Sequence, residues 1–298
     1  MGPISTQAVI SFTGILERVA ASTNTTLPLP RVLVILAHPD DEVLALGARM
    51  ERYRASRFLC VTDGAPRDGA DGRAHGFHTL EGYRAARRAE LQSAFEHALL
   101  PRKCARFLQL PGPHGANETI ADQAGALHLS ALTRQLVYEI EAFQPEAILT
   151  HPYEGGHPDH DSCAFAVHAA VRLAQNAPIV VEAPFYHAGP HGMETGCFLA
   201  ALQLNLRGMP TPSTCHLSPK EQQNKRERLA CFASQQEILK QFGTERELYR
   251  IAPAYDFTQP PHGGQLLYEG FGWDMNGARF RSLATDAFHA LGLAADPA

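Results

Sequence analysis

The chain has 298 residues, of which 45% are hydrophobic and 19% charged, with a formal net charge of −5 from 26 Lys and Arg against 31 Asp and Glu. That is length enough to bury a sizeable core, and the mild acidic excess leaves no basic face to attract nucleic acid. No stretch reaches the roughly 18 uncharged apolar residues that a membrane span requires. The six cysteines are scattered without a CxxC pair, as expected of free thiols in a reducing compartment, and the polar N-terminal segment lacks the basic flank of a signal peptide. A cytoplasmic enzyme is the expectation.

Residues 6–21 set Val9, Ile10, Phe12, Ile15, Leu16 and Val19 at helical spacing, and TNTTLPLP then reads as a linker. RVLVILA (31–37) is short, branched and without alternation, the pattern of a central parallel strand covered on both faces. A helix is predicted to follow from about Asp41 to Ala55. The alternation repeats: a strand at 58–62, a Gly-rich loop at 63–76, a helix over 81–99, a strand at 106–110, and a helix over 127–143. After these come a strand at 146–151, a helix at 162–175, a strand at 178–186 and a long helix at 218–242 opened by Ser218 and Pro219. Strand, loop and helix in repetition predict an α/β, Rossmann-like layered fold: a mostly parallel central sheet flanked by helices in a single catalytic domain. The expected organisation is an N-terminal helix and linker over 1–30, the catalytic domain over 31–250, and an aromatic-rich extension over 251–298 packed on that domain. Its Tyr255, Phe257, Tyr268, Phe271 and Trp273 suit a brace on the sheet or, less simply, a platform for a sugar ring.

Two polar clusters interrupt this pattern, each where a buried strand ends and a helix begins, the place where open α/β sheets bind ligands. The first is LAHPDDE, Leu36 to Glu42; the second is THPYEGGHPDHD, Thr150 to Asp161. A single such cluster reads as a polar turn with an Asp cap. Two of the form HPD(D/H), each closing a buried strand, point instead to a shared metal site, and imidazole with carboxylate suits zinc or another divalent transition ion, Fe2+ included. His38 and Asp41, at i and i+3, are spaced to face one ion.

The motifs AHPDDE (37–42) and HPDH (157–160) make the chain resemble the LmbE-like, or PIG-L, family of metal-dependent de-N-acetylases. The likeness extends through VTDG (61–64), Arg87, Glu90 and KRERLACFASQ (225–235), and so spans roughly 31–240. It implies a zinc-dependent amidohydrolase that removes an acetyl or other acyl group from an N-acetylated amino sugar or glycoconjugate. His38, Asp41 and His160 are implied as metal ligands and Asp40 as the general base. His157 is implied as the cationic stabiliser of the oxyanion, with Asp159 keeping His157 oriented and charged. The sequence departs from the family where Ala65 follows VTDG and where Gly155 stands at the position that some members fill with a substrate-contacting Tyr; Tyr153 and Glu154, just upstream, are the candidates to replace it.

Arg67 and Arg73, in the Gly-rich loop, are positioned to clamp an anionic group of the substrate, with solvated arginines as the plainer reading, and His75, His78 and His114 line the same mouth or face water. His151 reads as a loop hydrogen-bonder rather than a fourth ligand, Cys163 as a core residue, and Arg84, Arg87 and Arg88 as partners of Glu81 and Glu90. Two other functions stay open. HxD from His38 to Asp40 with a distant histidine also spells the triad of a non-haem iron oxygenase, and a metal-binding sugar-recognition protein without turnover would keep the ligands. The partner expected in every case is a small molecule, an N-acylated sugar or glycoconjugate in the first.

Overall fold

In the computed structural model residues 31–112, 116–199 and 211–294 are described. The helix expected over 6–21 and His114 lie outside them.

The principal strands are β1 (Val32–Leu36), β2 (Arg57–Cys60), β3 (Thr62–Pro66), β4 (Ala105–Phe107), β5 (Ile120–Asp122), β6 (Ala147–Thr150), β7 (Ile179–Glu182), β8 (Tyr186–Gly189), β9 (Gly192–Thr195), β10 (Ser213–His216) and β11 (Arg246–Ile251). The principal helices are α1 (Asp41–Leu46), α2 (Leu80–His97), α3 (Leu129–Phe143), α4 (Pro158–Leu173), α5 (Pro219–Leu229) and α6 (Gly277–Leu291). Seven strands form the central sheet in the order β10-β11-β7-β6-β1-β2-β4, with β7 to β4 parallel and β11 antiparallel to both neighbours. The expected α/β class with a mostly parallel sheet flanked by helices is the one observed.

Every residue of β1 is buried, and alternation along it feeds two cores. Leu33, Ile35 and Ala37 pack with α3, α4 and α6 on one face, while Val32, Val34 and Leu36 pack with α1, α2 and α5 on the other. From β1 the chain runs outward to β2 and β4, then returns across the sheet as β6 and β7. The reversal falls between β1 and β6, whose ladder pairs Val32 with Ala147, Leu33 with Ile148 and Val34 with Leu149. Both polar clusters therefore leave the sheet at its topological switch point.

Several elements differ from the sequence reading. α1 stops at Leu46 rather than Ala55, because the α5 side chains take its last carbonyls: Lys225 Nζ donates to Leu44 at 2.6 Å and Arg228 Nη1 to Gly47 at 2.6 Å. The helix expected over 218–242 breaks after Leu229, where Ser234 turns inward to donate its N–H and hydroxyl to Glu90, both at 2.7 Å. α4 starts at Pro158, so His160 stands in its first turn. The strand expected over 178–186 ends at Glu182, and Tyr186 opens the antiparallel hairpin β8–β9. α6 was not anticipated, although Asn276 caps it, Phe280, Ala284, Ala287, Phe288 and Leu291 bury one stripe, and Gly292 closes it at φ +68°. Tyr255, Phe257 and Tyr268 join this core as the brace.

Lys225 is buried and also faces Glu247 at 3.2 Å, so it fastens α1 to β11. Lys225→Met leaves the buried Glu247 carboxylate without its counter-charge, with only the Ala48 N–H and the Tyr249 hydroxyl as donors, and should cost about 3 kcal/mol. Urea unfolding checks this, and adding Glu247→Gln should restore part of the loss.

Candidate active site

The turn between β1 and α1 puts its charges in fixed places. The His38 N–H donates to Asp41 Oδ2 at 2.8 Å, closing the turn on the side chain that begins the helix. Asp40 is held at φ 134°, a left-handed conformation that a non-glycine residue rarely adopts. Glu42 secures it: one carboxyl oxygen accepts the Asp40 N–H at 3.2 Å, and the other accepts the Cys60 thiol at 2.7 Å. Burial pushes the Glu42 carboxyl up to about 7. Gly64 lets the next loop pass close by, since at its φ of +65° a Cβ would come 2.8 Å from both Arg87 Nε and Pro39 Cδ.

His38, Asp41 and His160 converge. His160 Nε2 lies 3.3 Å from His38 Nδ1 and 3.7 Å from Asp41 Oδ2, and His38 Nδ1 lies 3.5 Å from the same carboxylate oxygen. A tetrahedral zinc with bonds of about 2.0–2.1 Å sets neighbouring donors about 3.3–3.4 Å apart, so the triangle fits such an ion. The far side of His38 fits too: its Nε2 is 3.2 Å from both Asp122 Oδ1 and Asp159 Oδ2, which fixes the proton there and leaves Nδ1 for coordination. Burial alone would push the His38 imidazole down, but Asp122, Asp159 and Asp41 together hold it well above its ordinary range. Burial likewise opposes ionisation of Asp41, yet His160 and His151 hold its carboxyl well below the usual value.

Asp40 stands beside this triangle with its carboxylate on Arg87, Nη2 to Oδ2 at 3.2 Å, while the same guanidinium nitrogen donates to the Pro39 carbonyl at 2.8 Å. Burial raises the Asp40 carboxyl to about 7 against the opposing charge of Arg87. Asp40 is not among the donors gathered at His38 and His160, as an HxD triad would require. Arg87 is buried within the site and pairs with Glu90 at 3.5 Å as expected, Arg84 pairs with Glu81 at 3.4 Å and with Asp63 at 2.6 Å, and Arg88 lies over the Phe107 ring.

His157 caps α4, its Nδ1 accepting the Asp159 N–H at 3.1 Å, which leaves the proton on Nε2. Burial and the charge of His38 push His157 down to about 4. This changes the expected division of labour. The Asp159 carboxylate is shared: it accepts the N–H groups of Gln123 at 2.7 Å and Gly125 at 2.8 Å, faces His38 Nε2 at 3.2 Å, and lies 3.9 Å from His157 Nδ1, where its charge favours the imidazolium. The carboxylate in front of His157 Nε2 is Asp122, at 3.5 Å. The Asp159 carboxylate thus makes its shorter contact with His38, and burial with the charge of His38 disfavours the cationic form of His157.

A cavity of about 220 Å³ opens onto these groups, lined also by Asp71, Tyr186, Met193, Phe271 and Trp273. Trp273 meets the His157 ring edge-on at 4.9 Å, so the C-terminal aromatics divide between brace and cavity wall. Asp122 was missed in the sequence because β5 is three residues long and carries no motif; its one signal is a carboxylate at a strand end.

The four substrate-binding expectations are corrected. Tyr153 is buried among Tyr255, Phe257 and Phe280 and donates its hydroxyl to the Gln259 carbonyl at 2.9 Å. Glu154 is buried and accepts from the Leu199 N–H at 2.9 Å and from Arg250 at 3.3 Å, with Glu182 on the same guanidinium at 2.8 Å. Arg67 and Arg73 are exposed and do not line the cavity; Arg73 donates to the Asp68 carbonyl at 2.9 Å. His151 accepts the Ala37 N–H on Nε2 at 2.9 Å, which occupies the lone pair a ligand would use, and Cys163 is in the core.

A mostly parallel sheet whose switch point gathers two histidines and an aspartate around one point, with a further carboxylate alongside, defines an α/β protein with a candidate metal site. Comparison with known proteins narrows it. Residues 33–171, the segment that holds both motifs, match the family model described as PIG-L: GlcNAc-PI de-N-acetylase. No curated protein matches the chain by sequence. Among solved structures, the zinc-inhibited form of the teicoplanin deacetylase Orf2 is similar with a TM-score of 0.51 at 17% identity, over 74% of this chain and 97% of that one. The N,N'-diacetylchitobiose deacetylase from Pyrococcus horikoshii gives 0.50 at 16% identity, over 85% and 95%. GalB, the 4-carboxy-2-hydroxymuconate hydratase from Pseudomonas putida KT2440, gives 0.50 at 18% identity, over 76% and 98%. At these identities the likenesses show the fold. No helix among the described residues is long and apolar enough to cross a membrane.

The Glu154–Arg250–Glu182 group yields a pH test. Burial, against the charge of Arg250, raises both carboxyls from the usual 4.5 to about 7. Between those values the folded chain holds protons that the unfolded chain has released, so these groups make the fold less stable as pH rises through that window. The melting temperature of the wild type, relative to Glu154→Gln, should therefore fall from pH 5 to pH 7 and then level off. A difference that grows with pH would contradict the assignment.

Proposed function

We propose that the protein is a zinc-dependent hydrolase that removes the acetyl group from the nitrogen of an N-acetylated amino sugar or glycoconjugate. The observation that carries this reading is the donor triangle of His38, Asp41 and His160 with Asp40 beside it, in a segment that matches the de-N-acetylase family model. An ion held by those three residues supplies Lewis acidity, acidifying water and polarising the acyl carbonyl.

The chain's own groups then have distinct tasks. Asp40, fixed by its backbone and by Arg87, takes the proton of the attacking water on its carboxylate. His157 presents Nε2–H toward the cavity and donates it to the oxygen on which negative charge develops. Asp122 lies in front of that nitrogen and keeps the ring turned inward. Asp159 holds the proton on His38 Nε2, and so keeps Nδ1 available to the metal. Phe271 and Trp273 offer apolar faces to a sugar ring, while Asp71, Asp122 and Arg87 offer partners for its hydroxyls.

The likeness to GalB favours one alternative, a metal-assisted hydratase on the same scaffold. Acetate and free amine released from N-acetylglucosamine and its glycosides distinguish the two. The wild type should release both, and Asp40→Asn should be slower by about 10²–10⁴-fold with its metal content unchanged, because Asp40 is outside the donor triangle. Equal rates in the two proteins would remove Asp40 as the base, and zinc-loaded protein inert toward every N-acyl sugar tried would overturn the hydrolase reading.

A further inference from the structure

A second gathering of ligand-type side chains lies on the β8–β9 hairpin. His187 and Glu194 oppose each other across its ladder and so share one face, and Cys197 follows just after β9. The nearest donor atoms of the three residues lie within 4.8 Å of one another, with Cys197 Sγ 3.9 Å from His187 Nε2 and 4.0 Å from Glu194 Oε2. The imidazole is already set for coordination. Its Nδ1–H donates to the Ala188 carbonyl at 3.1 Å, which leaves the lone pair on the Nε2 that faces the thiol, the tautomer found in ligating histidines. Gly189 provides the space for the acid: a Cβ there would come 2.5 Å from Glu194 Oε1, so only glycine lets this carboxylate fold across the hairpin.

We propose that His187, Glu194 and Cys197 form a second divalent-cation site, of the thiolate-accepting class to which zinc belongs, separate from the catalytic cluster. Imidazole, carboxylate and thiolate are donors that zinc and cobalt(II) accept together. Zinc–sulfur and zinc–nitrogen bonds of about 2.3 and 2.0–2.1 Å put those donors about 3.5 Å apart, so the two contacts made by the sulfur need only a small contraction. The Cys197 thiol gives its proton to solvent and its sulfur lone pair to the ion, with no change of oxidation state. Cys197 and Glu194 are partly open to solvent, which provides the way in.

The hairpin has two faces. Tyr186 and Met193, each one position from a proposed ligand and therefore on the opposite side, line the catalytic cavity. An ion at His187, Glu194 and Cys197 thus stiffens a wall of that cavity from behind. This assignment does not depend on which reaction the cavity performs.

Cobalt(II) separates the two sites, because the catalytic cluster contains no sulfur donor. Full-length protein stripped with chelator and reloaded with Co2+ alone should show a thiolate-to-cobalt charge-transfer band in the near ultraviolet. It should also bind one more equivalent of cobalt than Cys197→Ser, which should lack the band yet keep the visible bands of the remaining ion. Glu194→Gln should retain the band at saturation while requiring more cobalt to reach it. No charge-transfer band in the wild type, a band that survives in Cys197→Ser, or equal stoichiometry in the two proteins would each overturn the proposal.

Discussion

The parallel pairing of β1 with β6 is the constraint on which the site depends. His38 and His160 are far apart in the chain, and they meet because two buried strands hydrogen-bond side by side and end at the same edge. Register matters as much as adjacency, since a slip of one residue would turn every side chain of a strand to the other face. Beyond the ladder, the Ala37 N–H continues the tie into His151, so the strand ends stay joined up to the residue before His38. Adhesion of hydrophobic strands thus becomes the placement of polar atoms to within a few tenths of an ångström.

The chemistry placed there is one that a core ordinarily excludes. Asp40, Asp41, Asp122 and Asp159 are all largely removed from water, and carboxylates in that position are stable only with positive charge or hydrogen-bond donors around them. Each has a different remedy: Arg87 for Asp40, the histidines for Asp41 and Asp122, and two backbone N–H groups for Asp159. A divalent cation between His38, Asp41 and His160, as proposed, adds the strongest such charge. Gly125 shows how closely the support is built, because a Cβ there would come 2.8 Å from Asp159 Oδ1, the atom its own N–H serves.

Much of this arrangement was legible in the residues. β1 and β6 announce themselves as uncharged branched runs, and HPDDE and HPDH stand at their ends, so the layered fold and the convergence of the two clusters follow from local pattern, whereas His160 as the companion of His38 and Asp41 is implied by the family resemblance. What escaped was set by tertiary contact. No local signal tells that Lys225 and Arg228 will end α1 early, or that Glu90 will pull Ser234 inward and split a helix. Tyr153 and Glu154 sit beside the second motif, yet Arg250 and the C-terminal core claim them, which proximity in sequence does not reveal. In the sequence Asp159 reads only as a partner of His157, which its N–H does orient; that its carboxylate also reaches across the switch point to His38 is a contact no local pattern announces. Asp122 arrives from a short strand and a loop, where spacing carries little information.

Asp40 shows what such a site asks of the fold around it. A left-handed backbone at an aspartate costs about 1–3 kcal/mol, and the protein sustains it by committing Glu42 and Cys60 to holding a peptide N–H. Neither of these residues belongs to the proposed set of ligands and catalytic groups, yet both fix where the candidate base can point. A glycine at position 40 would relieve the strain and let the chain settle more comfortably, and it would discard the carboxylate. Stability and activity are therefore opposed at this one torsion angle, and a variant selected only for robustness would be drawn toward losing the group on which the proposed chemistry depends.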